Sequence, residues 1–332
     1  MDKYHLKDLY VDALIEDIKY NINKHVDKDN YIETIFIGGG TPSTLSVEHY
    51  KKIFDLLKPY LTYIKEITIE SNPNSVSLEW LKKLRKFGIN RVSFGVQSFR
   101  DDKLKFLGRN HSEKRAIKAI QEAKEAGFEH INLDIIYGCE LDTKENMLRD
   151  INIAKSLPVD HISAYSLTIE EDTKFFHTPQ VKIDDFELSG FIFDAFEKAG
   201  FHQYEISNFA KSKTSKSKHN YGYWEYKEYL GCGSGAVGRI KKQRLYKEKS
   251  IEEYIKNPTI YSEIEELSDE DMLVEKVLLG LRSDVGVDID LLNDEQKNKL
   301  KELLKEDKIK QIGNKIYASD YLIADELALY LL

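Results

Sequence analysis

Cysteine is scarce in this chain: 332 residues contain two, Cys139 and Cys232, far apart and in no CxxC spacing. That excludes a disulfide framework, fits a reducing compartment, and leaves no metal site that thiolates alone could complete. Positive charge is also short. There are 49 Lys and Arg against 57 Asp and Glu, giving a net charge of -8 and a pI near 5.7, so no polyanion-binding field is expected and nucleic acid is a poor partner. The short basic stretches 211–218 and 239–244 read as solvated loops, the first of them mobile. No apolar run reaches membrane-spanning length, and the first eight residues, MDKYHLKD, lack the apolar core of a signal peptide. A soluble, cytoplasmic protein is expected.

What the chain does have is repetition of strand and helix signals. A helical pattern over 10–24 is followed by strands at 34–38, 66–70, 91–96, 130–137 and 161–167. Between and after them come helices at 47–60, 78–87, 113–126, 144–155 and 185–199, and glycines at 88, 127 and 200 follow three of these. This βα alternation predicts an α/β fold with a parallel sheet, and the length allows one large barrel-like domain with a smaller one beside it. A strand normally precedes the first helix of such a fold, so one strand is expected to be missing. Residues 268–332 differ in pattern: helices at 269–281 and 293–306, then a hairpin over 309–317 turning at Gly313-Asn314. They predict a small C-terminal α+β, winged-helix-like domain whose acidic balance favours packing or a protein partner over DNA.

Polar and glycine residues gather just past the strands' carboxyl ends, the ligand-facing end of a parallel sheet. Chief among them is Gly38-Gly39-Gly40-Thr41-Pro42-Ser43, where bare backbone can approach a ligand and Pro42 fixes the exit of the loop. Glu70, Gln97, Arg109 and Asp134 sit at or soon after other strand ends. Together they offer acceptors for ribose hydroxyls, an amide, and a guanidinium for an α-carboxylate, and they would suit a nucleotide-like amino acid.

Eight segments carry a family resemblance: IFIGGGTPS (35–43), IESNP (69–73), RVSFGVQSF (91–99), LGRNHS (107–112), NLDIIYG (132–138), HISAYSLTIEEDT (161–173), YEISNFA (204–210) and HNYGYWEYKEYLGCGSGAVG (219–238). In this register the chain resembles the oxygen-independent coproporphyrinogen III oxidase-like branch of the radical S-adenosylmethionine (SAM) proteins, and within it the heme chaperones. The resemblance implies a partial TIM-type barrel binding SAM at its carboxyl face. Gly39, Gly40 and Thr41 correspond to the contacts with the methionine part, and Glu70, Gln97, Arg109 and Asp134 to the other SAM-contacting positions. His219, opening the HNxxYW signature, is the candidate axial ligand of a heme iron, with the nearby aromatics packing on the porphyrin. The implied organisation is a barrel over 1–210, an HNxxYW and glycine-rich segment over 211–267 packing on it, and the C-terminal domain over 268–332. Implied partners are heme and heme-accepting proteins, respiratory ones among them, with peripheral membrane contact open.

The resemblance also exposes departures. Members of this family begin with a strand and a CxxxCxxC loop, whose thiolates hold three irons of a 4Fe–4S cluster while SAM chelates the fourth. This sequence has no CxxxCxxC, and its first helix corresponds to the segment just downstream of that loop. Cys139 and Cys232 cannot supply the missing ligands. The expectation is therefore a chain that starts late, with no catalytic or metal-ligating residues to assign and its status as an enzyme open. A second departure is Cys139-Glu140-Leu141-Asp142, where the family usually has Leu-Pro-Gly-Gln. Three functions follow as expectations: a heme chaperone that binds heme and SAM and passes heme to acceptor proteins, favoured by the HNxxYW segment and the short C-terminal domain; an oxygen-independent coproporphyrinogen III oxidase that decarboxylates propionates; and a cluster-free heme- or SAM-binding protein.

Overall fold

The computed structural model describes residues 6–171 and 175–332, so the chain's first five residues and the end of the HISAYSLTIEEDT segment lie outside the described residues. Two compact units emerge. One comprises the residues through Ile35 together with Leu45–Lys65 and Lys218–Leu332, and the other comprises Phe36–Thr44 and Glu66–Ser217.

The second unit is built on βα repeats. The strands are β1 (Thr34–Ile37), which crosses from the first unit into this one, β2 (Glu66–Ser71), β3 (Arg91–Gln97), β4 (His130–Tyr137), β5 (His161–Ser166), β6 (His202–Gln203) and β7 (Asn208–Ala210). They form one sheet in the order β1-β2-β3-β4-β5-β7-β6. Strands β2 to β5 pair in parallel, and β7 turns antiparallel against both β5 and β6. Four helices of this unit, Leu78–Lys86, Glu113–Glu125, Lys144–Ser156 and Phe186–Lys198, start on a capping side chain. Ser77, Ser112, Thr143 and Asp185 each accept a hydrogen bond from the backbone N–H three residues on. Gly88 at φ +94° and Gly127 at φ +88° then take the left-handed conformation that lets the chain drop back into the next strand. This is the α/β, partial-barrel order expected from the sequence.

Period-two alternation gives the sheet two unlike faces. Ile67, Ile69, Val92, Phe94, Val96, Ile131, Leu133, Ile135, Ile162 and Ala164 are buried apolar residues. The alternate positions read Glu66, Thr68, Glu70 on β2, Arg91 and Ser93 on β3, Asn132 and Asp134 on β4, and His161 and Ser163 on β5. At the start of β2 and β3 these polar residues make a buried ion pair, Arg91 Nε to Glu66 Oε2 at 2.9 Å, with side chains 2% and 0% exposed. Arg91 Nη2 also donates to the Ser215 carbonyl at 2.6 Å and the Lys216 carbonyl at 3.1 Å. The stretch expected to be a mobile loop is thus drawn in: Ser215 and Ser217 are buried. The reason is the guanidinium, which needs acceptors once it is enclosed.

In the first unit, helix Lys7–His25 carries a buried carboxylate, Asp17. Asp17 receives Lys247 Nζ at 2.6 Å, Tyr254 OH at 2.9 Å and the Gly233 N–H at 3.0 Å. Lys247 belongs to an antiparallel sheet of Val237–Ile240, Gln243–Lys247 and Tyr261–Glu266. The second basic stretch therefore lies in a hairpin, where Arg239 is buried and stacks on the Tyr226 ring at 3.9 Å instead of lying in a solvated loop. Residues from Asp269 on have their own apolar core, with Val277, Leu281, Leu300, Ile316, Leu327 and Leu331 buried, around helices and a three-stranded sheet ending in the hairpin Ile309–Ile312 and Lys315–Ala318. The helices Asp269–Leu281 and Asp294–Lys305 and this hairpin lie where the sequence places them.

Removing one partner of a buried ion pair leaves the other charge enclosed, which costs about 3–5 kcal/mol. Arg91→Met should lower unfolding stability by that order in a urea titration, and the double variant Arg91→Met/Glu66→Leu should recover most of the loss. A double variant no more stable than the single would show that the pair is not the source.

Candidate functional site

The glycine loop leaves β1 and is fixed at its far side. Pro42–Thr44 form one short 3-10 turn, and the buried Ser43 Oγ accepts the Asn72 N–H at 3.0 Å and bonds Ser75 Oγ, tying the loop to the end of β2. Gly39 (φ +77°) and Gly40 (φ +75°) are left-handed, and a Cβ built on either would meet nothing within 4 Å. Backbone conformation requires glycine there, and open space lies beside it. Gly38 is different: a Cβ would stand 2.5 Å from the Phe36 ring and 3.0 Å from the Glu70 carboxyl.

Glu70 comes to this loop from β2. Its Oε2 accepts the Gly39 N–H at 3.2 Å, and burial raises its pKa while that hydrogen bond lowers it. Asp134 on β4 is part-buried and accepts at Oδ1 from Asn132 Nδ2 at 2.8 Å and from Ser93 Oγ at 3.2 Å. Burial and the nearby Glu70 charge push its carboxyl up to about 7, against the pull of the Asn132, Ser93 and Ser163 hydrogen bonds. Two carboxyl groups and open glycine backbone therefore share one end of the sheet. Such a set can accept hydroxyl and ammonium protons.

The other expected residues are placed less tightly. Gln97 is buried at the end of β3 with φ +68°, a left-handed non-glycine residue at a register shift between β3 and β4. The turn around it closes with Ser98 N–H to the Val96 carbonyl at 2.9 Å. Thr41 is exposed, and its carbonyl accepts the Thr44 N–H at 3.0 Å. Arg109 follows helix Asp101–Phe106, and its side chain is exposed.

Beneath the Cys139–Asp142 segment, Lys103 is fully enclosed and donates to the Ile136 carbonyl and to Asp142 Oδ1, both at 2.6 Å. Asp142 Oδ2 in turn accepts the Cys139 N–H at 3.1 Å. An ion pair thus shapes the segment that departs from Leu-Pro-Gly-Gln.

His219 belongs to the first unit, on the short helix Lys218–Trp224. Its Nδ1 bonds Thr34 Oγ1 at 2.9 Å and its Nε2 bonds Tyr223 OH at 2.9 Å. The Tyr223 ring stands edge-on to the imidazole and to Tyr229.

Sequence reading at the strand ends missed the residues one step below them. Ser93, Asn132, His161 and Ser163 form a buried hydrogen-bonded row beneath Asp134. The signal was present: apolar/polar alternation in EITIE, RVSF, HINLD and HISA marks one face of consecutive strands as polar.

Known proteins resemble this chain in sequence and in fold. The Radical SAM superfamily pattern matches residues 4–152. The chain is 38% identical over 295 residues to heme chaperone HemW of Bacillus subtilis (strain 168), covering 84% of this chain and 77% of that protein. It is 32% identical to heme chaperone HemW of Lactococcus lactis, covering 94% and 84%. In fold it matches the Escherichia coli radical SAM enzyme coproporphyrinogen III oxidase, HemN, with a TM-score of 0.81 over the whole chain and 84% of that enzyme at 21% identity. The chain thus belongs to the HemW family of heme chaperones within the radical SAM superfamily, whose members use SAM and a 4Fe–4S cluster.

Proposed function

We propose that this protein is a cytoplasmic heme chaperone that binds SAM at the glycine loop and heme at the HNxxYW helix, and hands heme to acceptor proteins. The observation that carries the SAM reading is the pair Gly39–Glu70 beside Asp134: open left-handed backbone with a carboxylate hydrogen-bonded across it. In this reading Gly39, Gly40 and Thr41 face the methionine part and Glu70 and Asp134 accept from its ammonium and ribose hydroxyls. Gln97 and Arg109 complete the set, the guanidinium taking the carboxylate. Bound SAM supplies an activated sulfonium. What this chain's residues do is orient it and hold its polar groups.

The heme reading rests on His219 and its aromatic neighbours. An imidazole is a good iron ligand, and Tyr223 and Tyr229 offer apolar faces. In the same helix Trp224 Nε1 is a buried donor with no hydrogen-bond partner among the described residues, a group that a porphyrin carboxylate would satisfy. Heme acceptors, respiratory proteins among them, are the partners this role requires.

A 4Fe–4S cluster does not fit the residues of this chain. The sequence has two cysteines, burial pushes the Cys139 thiol up to about 11 and the Cys232 thiol up to about 12, and no group of three or more His, Cys, Asp or Glu among the described residues could hold a metal ion.

Two measurements test the proposal. Heme titrated into the protein should give a Soret shift that is lost or displaced in His219→Ala; an unchanged shift in that variant removes His219 as ligand. SAM affinity, measured by calorimetry, should rise as pH increases through about 7 and then level, because the ionised Asp134 accepts a hydroxyl better than the protonated acid. Glu70, whose pKa burial also raises, and Tyr165 are the other titratable groups whose interactions reach this carboxyl. Asp134→Asn should flatten the rise, and a wild-type affinity independent of pH between 6 and 8 would contradict the assignment.

A further inference from the structure

Below Asp134 the polar face holds a chain of hydrogen bonds whose direction follows from the chemistry of its members. Asp134 Oδ1 accepts from Asn132 Nδ2 at 2.8 Å, so the amide of Asn132 presents its NH2 group to the carboxylate. The amide oxygen then faces the other way, 2.6 Å from His161 Nδ1. An amide oxygen can only accept, so His161 carries its proton on Nδ1. Burial and the Arg91 charge hold the His161 pKa well below its usual value, so the ring is neutral and Nε2 is an acceptor. Nε2 lies 2.7 Å from Tyr204 OH, which itself accepts the Ser217 N–H at 3.2 Å and so has its own proton to give. His161 and Asn132 are 2% and 5% exposed, leaving water little access to either.

We propose that His161 is a positioning residue for the SAM site: its Nδ1–H tautomer, set by Tyr204, fixes the orientation of the Asn132 amide and so keeps NH donors, not an oxygen, against Asp134. The proposal rests on the reading of Asp134 as an acceptor for SAM. With the tautomer reversed, Nε2–H would face Tyr204 and the bare Nδ1 would face the Asn132 oxygen, two acceptors 2.6 Å apart. Rotating the amide to relieve that contact turns its oxygen onto the carboxylate and favours the protonated acid. Register makes the row possible. Ser93 lies opposite Asn132 and Asn132 opposite His161 across the parallel pairs, with Asp134 opposite Ser163, and Asn132 Nδ2 also reaches Ser93 Oγ at 2.6 Å.

Protein carrying 15N-histidine and 13C-carboxyl aspartate tests this by NMR, with SAM affinity measured by calorimetry on the same samples. Expected are the Nδ1–H tautomer for His161 at pH 7, and an upward move of the Asp134 carboxyl midpoint in His161→Phe with roughly tenfold weaker SAM binding. In His161→Asn, whose Nδ2 overlies the imidazole Nδ1 and donates to Asn132, midpoint and affinity should both return toward wild type. A purely structural role would give no such rescue. Tyr204→Phe, which removes one oxygen, should mix the tautomers and move the midpoint the same way, and it carries the test if His161→Phe does not fold. An Nε2–H tautomer in the wild type, or an Asp134 midpoint unmoved in folded variants, overturns the proposal. A midpoint that moves as stated while the wild type binds no SAM overturns the SAM reading and leaves the positioning role standing.

Discussion

A parallel sheet that carries polar side chains along one face must satisfy them from within, because an enclosed charge or amide without a partner costs more than folding can spare. Everything at the candidate site descends from that constraint. At the lower end of the face Arg91 and Glu66 neutralise each other, and Arg91 Nη2 draws in the carbonyls of Ser215 and Lys216. One level up, neutral groups replace charges: Ser93, Asn132, His161 and Ser163 share protons in a row. At the carboxyl end Glu70 and Asp134 are left with fewer donors than two carboxylates need, and the Asp134 carboxyl is raised to about 7. The two carboxyl groups at the top of the face sit where a ligand would supply further donors.

The glycine loop is the other half of this arrangement, and its shape is imposed from outside. Ser43 is anchored on Asn72 and Ser75, and this holds the loop over β2 while Gly39 donates its N–H to Glu70. The left-handed pair Gly39–Gly40 is open on the side where a Cβ would stand. A side chain at either position would fill that space and strain the backbone as well. Gly38 answers to a different demand, since a Cβ there would collide with Phe36 and crowd Glu70 itself.

Much of the fold was legible because its signals are local. The capping residues Ser77, Ser112, Thr143 and Asp185 and the glycines at 88, 127 and 200 mark where helices start and stop, and the strands fall within a residue or two of the positions read from periodicity. The short helices Asp101–Phe106 and Lys218–Trp224 were not read as such, being too brief to show a period. The burial of Ser215 and Ser217 within the 211–218 stretch was hidden for another reason. Its cause, Arg91, lies 124 residues upstream of Ser215, and a Ser/Lys-rich stretch looks the same whether or not its carbonyls have a distant donor. Glu70, Gln97, Arg109 and Asp134 stood out at strand ends, whereas His161 did not, because its chemistry depends on the neighbours that the strand register provides.

His219 differs from His161 in the strength of its ties. Both imidazole nitrogens are engaged, Nδ1 with Thr34 on a strand and Nε2 with Tyr223, a half-exposed side chain on the same short helix. An iron ligand normally keeps one nitrogen in a hydrogen bond that fixes the ring while the other binds metal. Thr34 is suited to the first part, since it can accept from Nδ1–H at 2.9 Å and is held by the backbone of β1. Tyr223 suits the second, because one change of rotamer releases Nε2 and forgoes a hydrogen bond worth about 0.5–1.5 kcal/mol net. In the proposed role the imidazole is therefore oriented before heme arrives, and the bond given up is small beside what an iron–nitrogen bond returns. A chaperone that must also release its cargo gains from the same arrangement, because Tyr223 can close back onto Nε2 as the iron leaves.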